Sequence, residues 1–181
     1  MKTRKCKYCK SVFSPITTLQ KNCFEPNCVT EWINEVKEKN WKRKKAKLKM
    51  DLMTLSDYIK LAQTVFNKYI RLRDKLTPCI SCGAKAGTYT ITAGHYFPST
   101  NKSVTFNEDN LHGQCWYNCN SSKSGNLAEY RLGLIQRIGV ERLEKLELES
   151  RKTKKWTKEE LKEIMAEYKK KCKELELYQK E

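Results

Sequence analysis

Residues 79–82 read Cys79-Ile80-Ser81-Cys82, and residues 115–119 read Cys115-Trp116-Tyr117-Asn118-Cys119. Each close pair is half of a tetrahedral zinc site, because two thiolates one turn apart can face one ion. A second set lies upstream, as Cys6-x2-Cys9 and Cys23-x4-Cys28. Two complete sets in 181 residues predict two structural zinc ions, each closed by four thiolates with no open position for chemistry. The ninth cysteine, Cys172, falls on an apolar helical stripe and reads as a small core residue.

The rest of the composition explains why zinc is needed. Charged residues make up 32% of the chain and the hydrophobic set 39%, too wet for one large apolar core. Lobes below roughly 70–80 residues need staples such as a metal. The chain contains no run of about 20 apolar residues, so no membrane span is expected. The opening Met1-Lys2-Thr3-Arg4-Lys5-Cys6 lacks the apolar stretch of a secretory signal. A reducing, cytoplasmic location is the expectation, which also favours metal over disulfides.

The formal charge is +16, and it is unevenly placed. Residues 1–50 carry 14 basic and 4 acidic side chains. The peak is Lys37, Lys39, Lys42, Arg43, Lys44, Lys45, Lys47 and Lys49, with Glu38 the single acid among them. Such a run reads as a solvated helix face or as a stripe that contacts phosphates and releases counterions. A nucleic acid is the favoured partner. A membrane surface is the runner-up, because Trp32, Ile33, Val36, Trp41 and Leu48 make only a thin apolar face.

Helical spacing predicts the other elements. Thr54 or Ser56 caps a helix to about Asp74, with Leu55, Ile59, Ala62, Phe66 and Ile70 on one stripe, and Pro78 ends the segment. Tyr89-Thr90-Ile91-Thr92 has strand character. A helix from Asn126 runs through Leu127, Tyr130, Leu134 and Ile138 to Gly139, and a short amphipathic helix covers 140–149. Thr157-x-x-Glu160 is a capping box opening a last helix, with Leu161, Ile164, Met165, Tyr168, Cys172 and Leu175 on one face. The expected organisation is an N-terminal zinc lobe (1–30), basic and amphipathic helices (31–77), a zinc-stapled core (78–139) and C-terminal helices (140–181).

The residues inside the second zinc bracket carry the chemistry. Both histidines of the chain, His95 and His112, fall there. A neutral imidazole can take a proton from water near pH 7, and His95 is the candidate general base. Asn120 offers a hard amide oxygen to Mg²⁺ or Mn²⁺, or else caps a helix. His112 reads as a second contact to metal or leaving oxygen, or as a packed residue. Asn110 holds the loop and orients His95, or merely forms a turn. Lys123, three residues after Asn120, faces the same phosphate if the two share a helix, or is a solvated charge. Trp32, Trp41 and Trp116 are candidates to stack on unpaired bases, with core packing favoured for Trp116. Between Cys79 and Asn126 the only acids are the neighbours Glu108 and Asp109, so a two-metal carboxylate cluster is excluded.

The order Gly94-His95-Tyr96, Asn110-Leu111, then Cys115-x3-Cys119-Asn120-x2-Lys123 resembles the HNH, or ββα-metal, nucleases. The wider chain is similar to the phage NinG/Rap recombination endonucleases. That likeness rests on Pro78-Cys79-Ile80-Ser81-Cys82-Gly83, Ala93-Gly94-His95-Tyr96, Phe106-Asn107-Glu108-x-Asn110-x-His112 and Lys123-Ser124-Gly125-Asn126-Leu127. It extends through Arg131-x3-Ile135-x-Arg137-Ile138-Gly139 to Trp156-Thr157. The resemblance implies a helix-rich α+β fold with a zinc-stapled HNH-like core, an N-terminal four-cysteine lobe and flanking amphipathic helices. It implies a metal-dependent endonuclease acting on branched DNA such as Holliday junctions and D-loops. It further implies a catalytic Mg²⁺ or Mn²⁺, a homodimer, and the host-cell cytoplasm. A non-catalytic zinc protein that binds nucleic acid, or an HNH nuclease with another DNA or RNA target, are the alternatives. The chain departs from the pattern twice. Three residues separate Cys115 from Cys119 where the usual knuckle has two, and Gly94 stands where many HNH nucleases place a metal-binding aspartate.

Overall fold

A computed structural model describes residues 3–178 and resolves them into two units, Met1–Met53 and Thr54–Glu181. The boundary falls within the 31–77 segment, so its basic and amphipathic helices belong to different units. No helix among the described residues is long and apolar enough to cross a membrane.

The first unit begins with two short antiparallel strands, β1 (Arg4–Lys5) and β2 (Val12–Phe13). The turn between them closes when the Cys6 N–H donates to the Ser11 carbonyl at 2.8 Å. Helix α1 spans Pro26–Asp51, with proline in its first turn, where no intrahelical N–H is lost. Only Cys28 of this helix is buried. The core of the unit is therefore Cys6, Cys23 and Cys28, with Tyr8 and Phe13 against them. Sulfur stands where a larger lobe would place aliphatic side chains.

The second unit opens with α2 (Leu55–Arg73), whose Thr54 and Asp57 form a reciprocal capping box. Tyr58, Ala62, Phe66 and Ile70 are its buried stripe. They face α5 (Lys158–Tyr178), where Leu161, Met165, Tyr168 and Cys172 are buried. Phe66 and Tyr168 meet edge to face, with centroids 4.5 Å apart. The Thr157–Glu160 box opens α5 as its spacing requires, the Glu160 N–H donating to the Thr157 hydroxyl at 3.2 Å.

Against α2 lies a ribbon of β3 (Ile91–His95) and β4 (Leu111–Cys115), antiparallel and paired from Ile91↔Cys115 to His95↔Leu111. Ala93 and Leu111 join the Phe66, Ile70 and Tyr168 cluster. The ribbon's other face receives α3 (Leu127–Ile138) through Tyr130, whose hydroxyl donates to the Gly94 carbonyl at 2.9 Å. Gly139, at φ +82°, turns the chain into α4 (Val140–Ser150). Leu143 of α4 completes a cluster with Ile80, Tyr130 and Leu134.

The zinc knuckle and α3 approach closely at Gly133, where an added Cβ would lie 1.9 Å from the Ile80 carbonyl oxygen. Gly133→Ala gains up to about 1 kcal/mol of helix propensity. It collides with backbone, and overpacking of this kind costs about 1–3 kcal/mol or more. The expected net loss is about 2 kcal/mol in urea denaturation, and an unchanged midpoint would mean that α3 slides freely on the knuckle.

Candidate active site

Four sulfurs gather in each unit. Those of Cys6, Cys9, Cys23 and Cys28 lie within 4.8 Å of one another, as do those of Cys79, Cys82, Cys115 and Cys119. The Cys9–Cys23 and Cys82–Cys115 sulfurs are 3.7 Å apart. A disulfide requires about 2.05 Å. A zinc tetrahedron with bonds of about 2.3 Å has an edge of about 3.8 Å, so the donor sets fit zinc. Backbone donors surround the thiolates. The Cys23 N–H reaches Cys6 Sγ at 3.4 Å, and the Cys115 N–H reaches Cys79 Sγ at 3.3 Å.

The extra residue between Cys115 and Cys119 is absorbed as a π-helical turn over Trp116–Ser121. The Ser122 N–H donates to the Tyr117 carbonyl at 3.0 Å, the i→i+5 bond of a one-residue insertion. Asn120 lies half-buried in this turn, and Lys123 lies exposed in the turn after it. No regular helix joins them, so helical spacing does not set the two side chains on one face. Nor is Asn120 a helix cap: Asn126, at φ +45°, occupies that position for α3 and makes no side-chain cap bond. Trp116, expected in the core, is 52% exposed on the π turn.

His95 ends β3 opposite Leu111. Cross-strand partners share a face and successive residues alternate, so its side chain starts on the Ala93–Leu111 face. Its Nε2 is buried and has no hydrogen-bond partner. Burial lowers the pKa of the ring below the ordinary histidine value, with a hydrogen bond to Ala93 backbone opposing the shift. The imidazole is therefore neutral near pH 7. Asn110, fully buried, locks the chain where it leaves His95. Its Oδ1 accepts the Phe97 N–H at 2.7 Å, and its Nδ2 donates to the carbonyls of Phe97 and Val104, both at 3.1 Å. Its own carbonyl accepts the Tyr96 N–H at 2.9 Å.

His112 pairs with Gly94, on the face opposite His95, and its ring centroid is 6.4 Å from that of Tyr130. It is 3% exposed. Arg73 Nη2 lies 3.1 Å from its Nδ1. A guanidinium there opposes a second cation, and burial, with help from Arg73, lowers the ring's pKa despite Asp74. The two histidines are thus not brought onto one surface by the ribbon.

Sequence reading missed the group that covers the free edge of β4. Arg73 Nη2 donates to the Leu111 carbonyl at 2.8 Å, and Asp74 Oδ2 accepts the Gly113 N–H at 2.6 Å. The Ile80 N–H donates to the Gly113 carbonyl at 3.0 Å. With the Cys115–Cys79 contact, this edge is satisfied without a third strand. Asp74 is buried, which favours its neutral form, but His112, Arg73 and the Gly113 N–H together hold its carboxyl well below the usual range. The adjacent opposite charges at the end of α2 were the available sequence signal.

Gln114 was also missed. It is wholly buried, and its Nε2 donates to Ser81 Oγ at 2.7 Å and to the Gly125 carbonyl at 2.6 Å. The Gly125 N–H in turn donates to the Asn120 carbonyl at 3.1 Å. The π turn is therefore tied to the ribbon beside Gly94. A Cβ on Gly94 would lie 2.4 Å from Gln114 Oε1, so the amide fills the space an aspartate at 94 would use. That oxygen is itself buried without a partner.

The nearby acids are committed elsewhere. Glu108 accepts from Tyr69 at 2.9 Å and from Tyr168 and Lys171 at 3.0 Å. Asp109 pairs with Arg142. The side-chain oxygens left over near the ribbon are neutral: the Asn120 amide, half-buried in the π turn, and Gln114 Oε1, which is buried on the Gly94–His112 face, opposite His95.

In the first unit, all eight basic residues from Lys37 to Lys49 are exposed along α1. Lys39 pairs with Glu35 and Lys42 with Glu38, both at 2.6 Å. Lys37, Arg43, Lys44, Lys45, Lys47 and Lys49 have no carboxylate partner within the described residues.

Fold and site together define a two-unit α+β protein, helix-rich, with two four-cysteine groups that can hold zinc. The family model described as "Bacteriophage Lambda NinG protein" matches residues 1–178, and the chain belongs to the NinG family. It is 44% identical to protein ninG of Salmonella phage P22 over 128 residues, 70% of this chain and 62% of that protein. It is equally similar to protein ninG of Escherichia phage lambda, with 61% of that protein covered. The chain thus spans about three fifths of the length of these two relatives. Protein ninG of Escherichia phage 933W is 36% identical over 190 aligned positions, covering 95% of this chain and 93% of the relative. No solved structure matches the chain.

Proposed function

We propose that the protein is a metal-dependent HNH-type endonuclease that hydrolyses phosphodiester bonds in branched DNA, such as Holliday junctions and D-loops. One observation supports this reading above the others. A neutral imidazole nitrogen, His95 Nε2, stands without a partner at the end of a ribbon tethered to a four-cysteine site. Its lone pair is uncommitted, and because the atom is buried the reaction requires its cover to open and admit the attacking water.

In the proposed reaction the water oxygen attacks phosphorus, its proton passes to His95 Nε2, and the bond from phosphorus to the departing sugar oxygen breaks. Asn110 positions His95 by fixing Tyr96 and Phe97. Mg²⁺ or Mn²⁺, held by Asn120, would supply positive charge for the phosphoryl and leaving oxygens. His112 is assigned to the buried Arg73–Asp74 group and not to the cation. Lys123, exposed, is free to meet a phosphate. The basic face of α1 grips the DNA backbone, so selection of branches comes from shape and phosphate spacing. Two cuts across a junction would call for two copies of the chain. The apolar face of α5 is already covered by α2, so pairing would use another surface. The host cytoplasm is the proposed place of action.

A second reading, a zinc protein that binds nucleic acid without cutting it, draws support from Gly94 and the absence of a free carboxylate around the ribbon among the described residues. One assay separates the two. A four-way junction, a D-loop and a linear duplex are incubated with the protein and Mg²⁺ or Mn²⁺, with and without EDTA. Cutting of the branched substrates that EDTA abolishes is expected. Binding without cutting of any substrate would leave the second reading, and equal cutting of the linear duplex would defeat branch selection.

A further inference from the structure

A cavity of about 520 Å³ lies in the first unit, between α1 and the segment from Ile16 to Phe24. That is within the range of pockets that hold small ligands, about 300–1,000 Å³. Its walls are Phe24 and Trp32, with Ile16, Leu19 and Val36 around them. These residues are not core: Phe24 is 67% exposed, Trp32 47% and Leu19 83%. The unit is held by its cysteines, so this apolar surface is left to face solvent.

The rim is basic. Lys7, Lys21 and Lys39 stand around it, with Glu35 the one acid. Glu35 takes both Lys7 and Lys39, and also the Tyr8 hydroxyl at 2.6 Å. Two ammonium groups are thereby fixed at the mouth by one carboxylate, and the rim stays positive. Trp32, Glu35, Val36 and Lys39 fall three or four residues apart, so α1 presents them on one face. The unpaired basic residues from Lys37 to Lys49 continue along the same helix.

From this pairing of open aromatic walls with a lysine rim, we propose that the cavity receives an unpaired base of single-stranded DNA, stacked on Trp32 and Phe24, with the flanking phosphates on the lysines. An apolar peptide or a lipid tail would leave the rim's net positive charge unanswered, since one carboxylate serves three lysines, whereas a nucleotide supplies both a π-face and a phosphate. The pocket does not read sequence. The Gln20 side chain already accepts the Ile16 N–H and donates to the Asn22 carbonyl, both at 2.8 Å, so its amide is not free for a base edge. This deepens the endonuclease reading, on which its relevance to branch points rests, by assigning the unpaired nucleotides there a place on the protein.

The test is binding by the whole 181-residue chain in EDTA-free buffer without Mg²⁺ or Mn²⁺, so its outcome is independent of cleavage. Fluorescence anisotropy is read with labelled oligothymidine, oligouridine and a duplex of equal length, against wild type, Trp32→Ala, Trp32→Phe and Phe24→Ala. Zinc content and a cooperative thermal transition confirm that each variant is folded. Trp32→Ala and Phe24→Ala are each expected to weaken oligothymidine binding roughly tenfold, the size of one lost base stack. Trp32→Phe should retain most of the affinity, and duplex binding should change less than about twofold because phosphate contacts remain. Equal loss for single strand and duplex, or no loss in either alanine variant, would overturn the proposal. Tighter binding of oligouridine would reassign the pocket to RNA and overturn the DNA assignment. Trp32-dependent binding to anionic phospholipid vesicles, with oligothymidine binding unchanged, would replace the nucleotide with a membrane surface.

Discussion

Replacing Cys115 by serine is expected to abolish the folded second unit, the largest stability effect in the molecule. Cys115 ends β4, is buried, and donates its N–H to Cys79 Sγ at 3.3 Å. Its sulfur belongs to the group of Cys79, Cys82, Cys115 and Cys119. Structural zinc contributes about 10–16 kcal/mol of folding free energy in small zinc domains. A domain of this size has a net stability of only about 5–15 kcal/mol. Loss of one thiolate thus removes as much as the unit has, even where some metal affinity survives. The consequences spread because the knuckle covers one edge of β4 and packs under α3 at Gly133. Elemental analysis should find two zinc ions in the wild-type chain and one in the variant, and the unfolding transition of the second unit should disappear from calorimetry. Cys172→Ala, outside both groups, is the control and should retain two. A variant that keeps two zinc ions and the wild-type transition would show that Cys115 is no ligand.

Exchanging His95 for alanine is the corresponding test of chemistry. If His95 Nε2 takes the proton from water, the variant should cut branched DNA about 10²–10⁴-fold more slowly. Affinity for the same DNA, measured without divalent cation, should change little, since the basic face of α1 is untouched. The pH profile sharpens the test. Burial lowers the pKa of His95, and the free base is the competent form. Cleavage should therefore rise with pH through a midpoint below the ordinary histidine value of about 6.5 and be flat by pH 7–8. Wild-type protein that loses activity as pH rises through 7 would exclude His95 as the base. An unaltered rate in the alanine variant would do the same.

These two tests address different levels of the same chain, and the two levels were not equally legible. The cysteine spacing, the Thr157–Glu160 box, the α2 and α5 stripes and the turn at Gly139 are local patterns. Each depends on side chains a few residues apart, and the fold reproduces them, except that at the start of α2 Tyr58 is buried while the expected Leu55 is exposed and Ile59 only half-buried. The departure at Cys115–Cys119 was visible as a count, but its resolution as a π turn was not. Its geometry rests on the bond from Gln114 to the Gly125 carbonyl, which spans the turn from one side to the other and which spacing alone does not announce.

The candidate site divides in the same way. The identities of His95, Asn110 and Asn120 were legible because few residue types can activate water, hold a loop or offer a hard oxygen. Their orientations were not. Alternation along the ribbon puts His95 and His112 on opposite faces once the register is set, and the register depends on which face meets α2. Arg73 and Asp74 read as an ordinary helix end until β4 is beside them.

The sequence by itself determined that this protein has two four-cysteine groups, a basic helix, and one polar stretch bracketed by thiolates. Short-range spacing and composition are enough for that. Only the tertiary structure decided that α5 covers α2, that Gln114 occupies the space beside Gly94, and that the edge of β4 is closed by Arg73, Asp74 and the zinc knuckle. Each of these is a contact between segments tens of residues apart, selected by shape and by the need to satisfy buried donors and acceptors, and no local pattern encodes it.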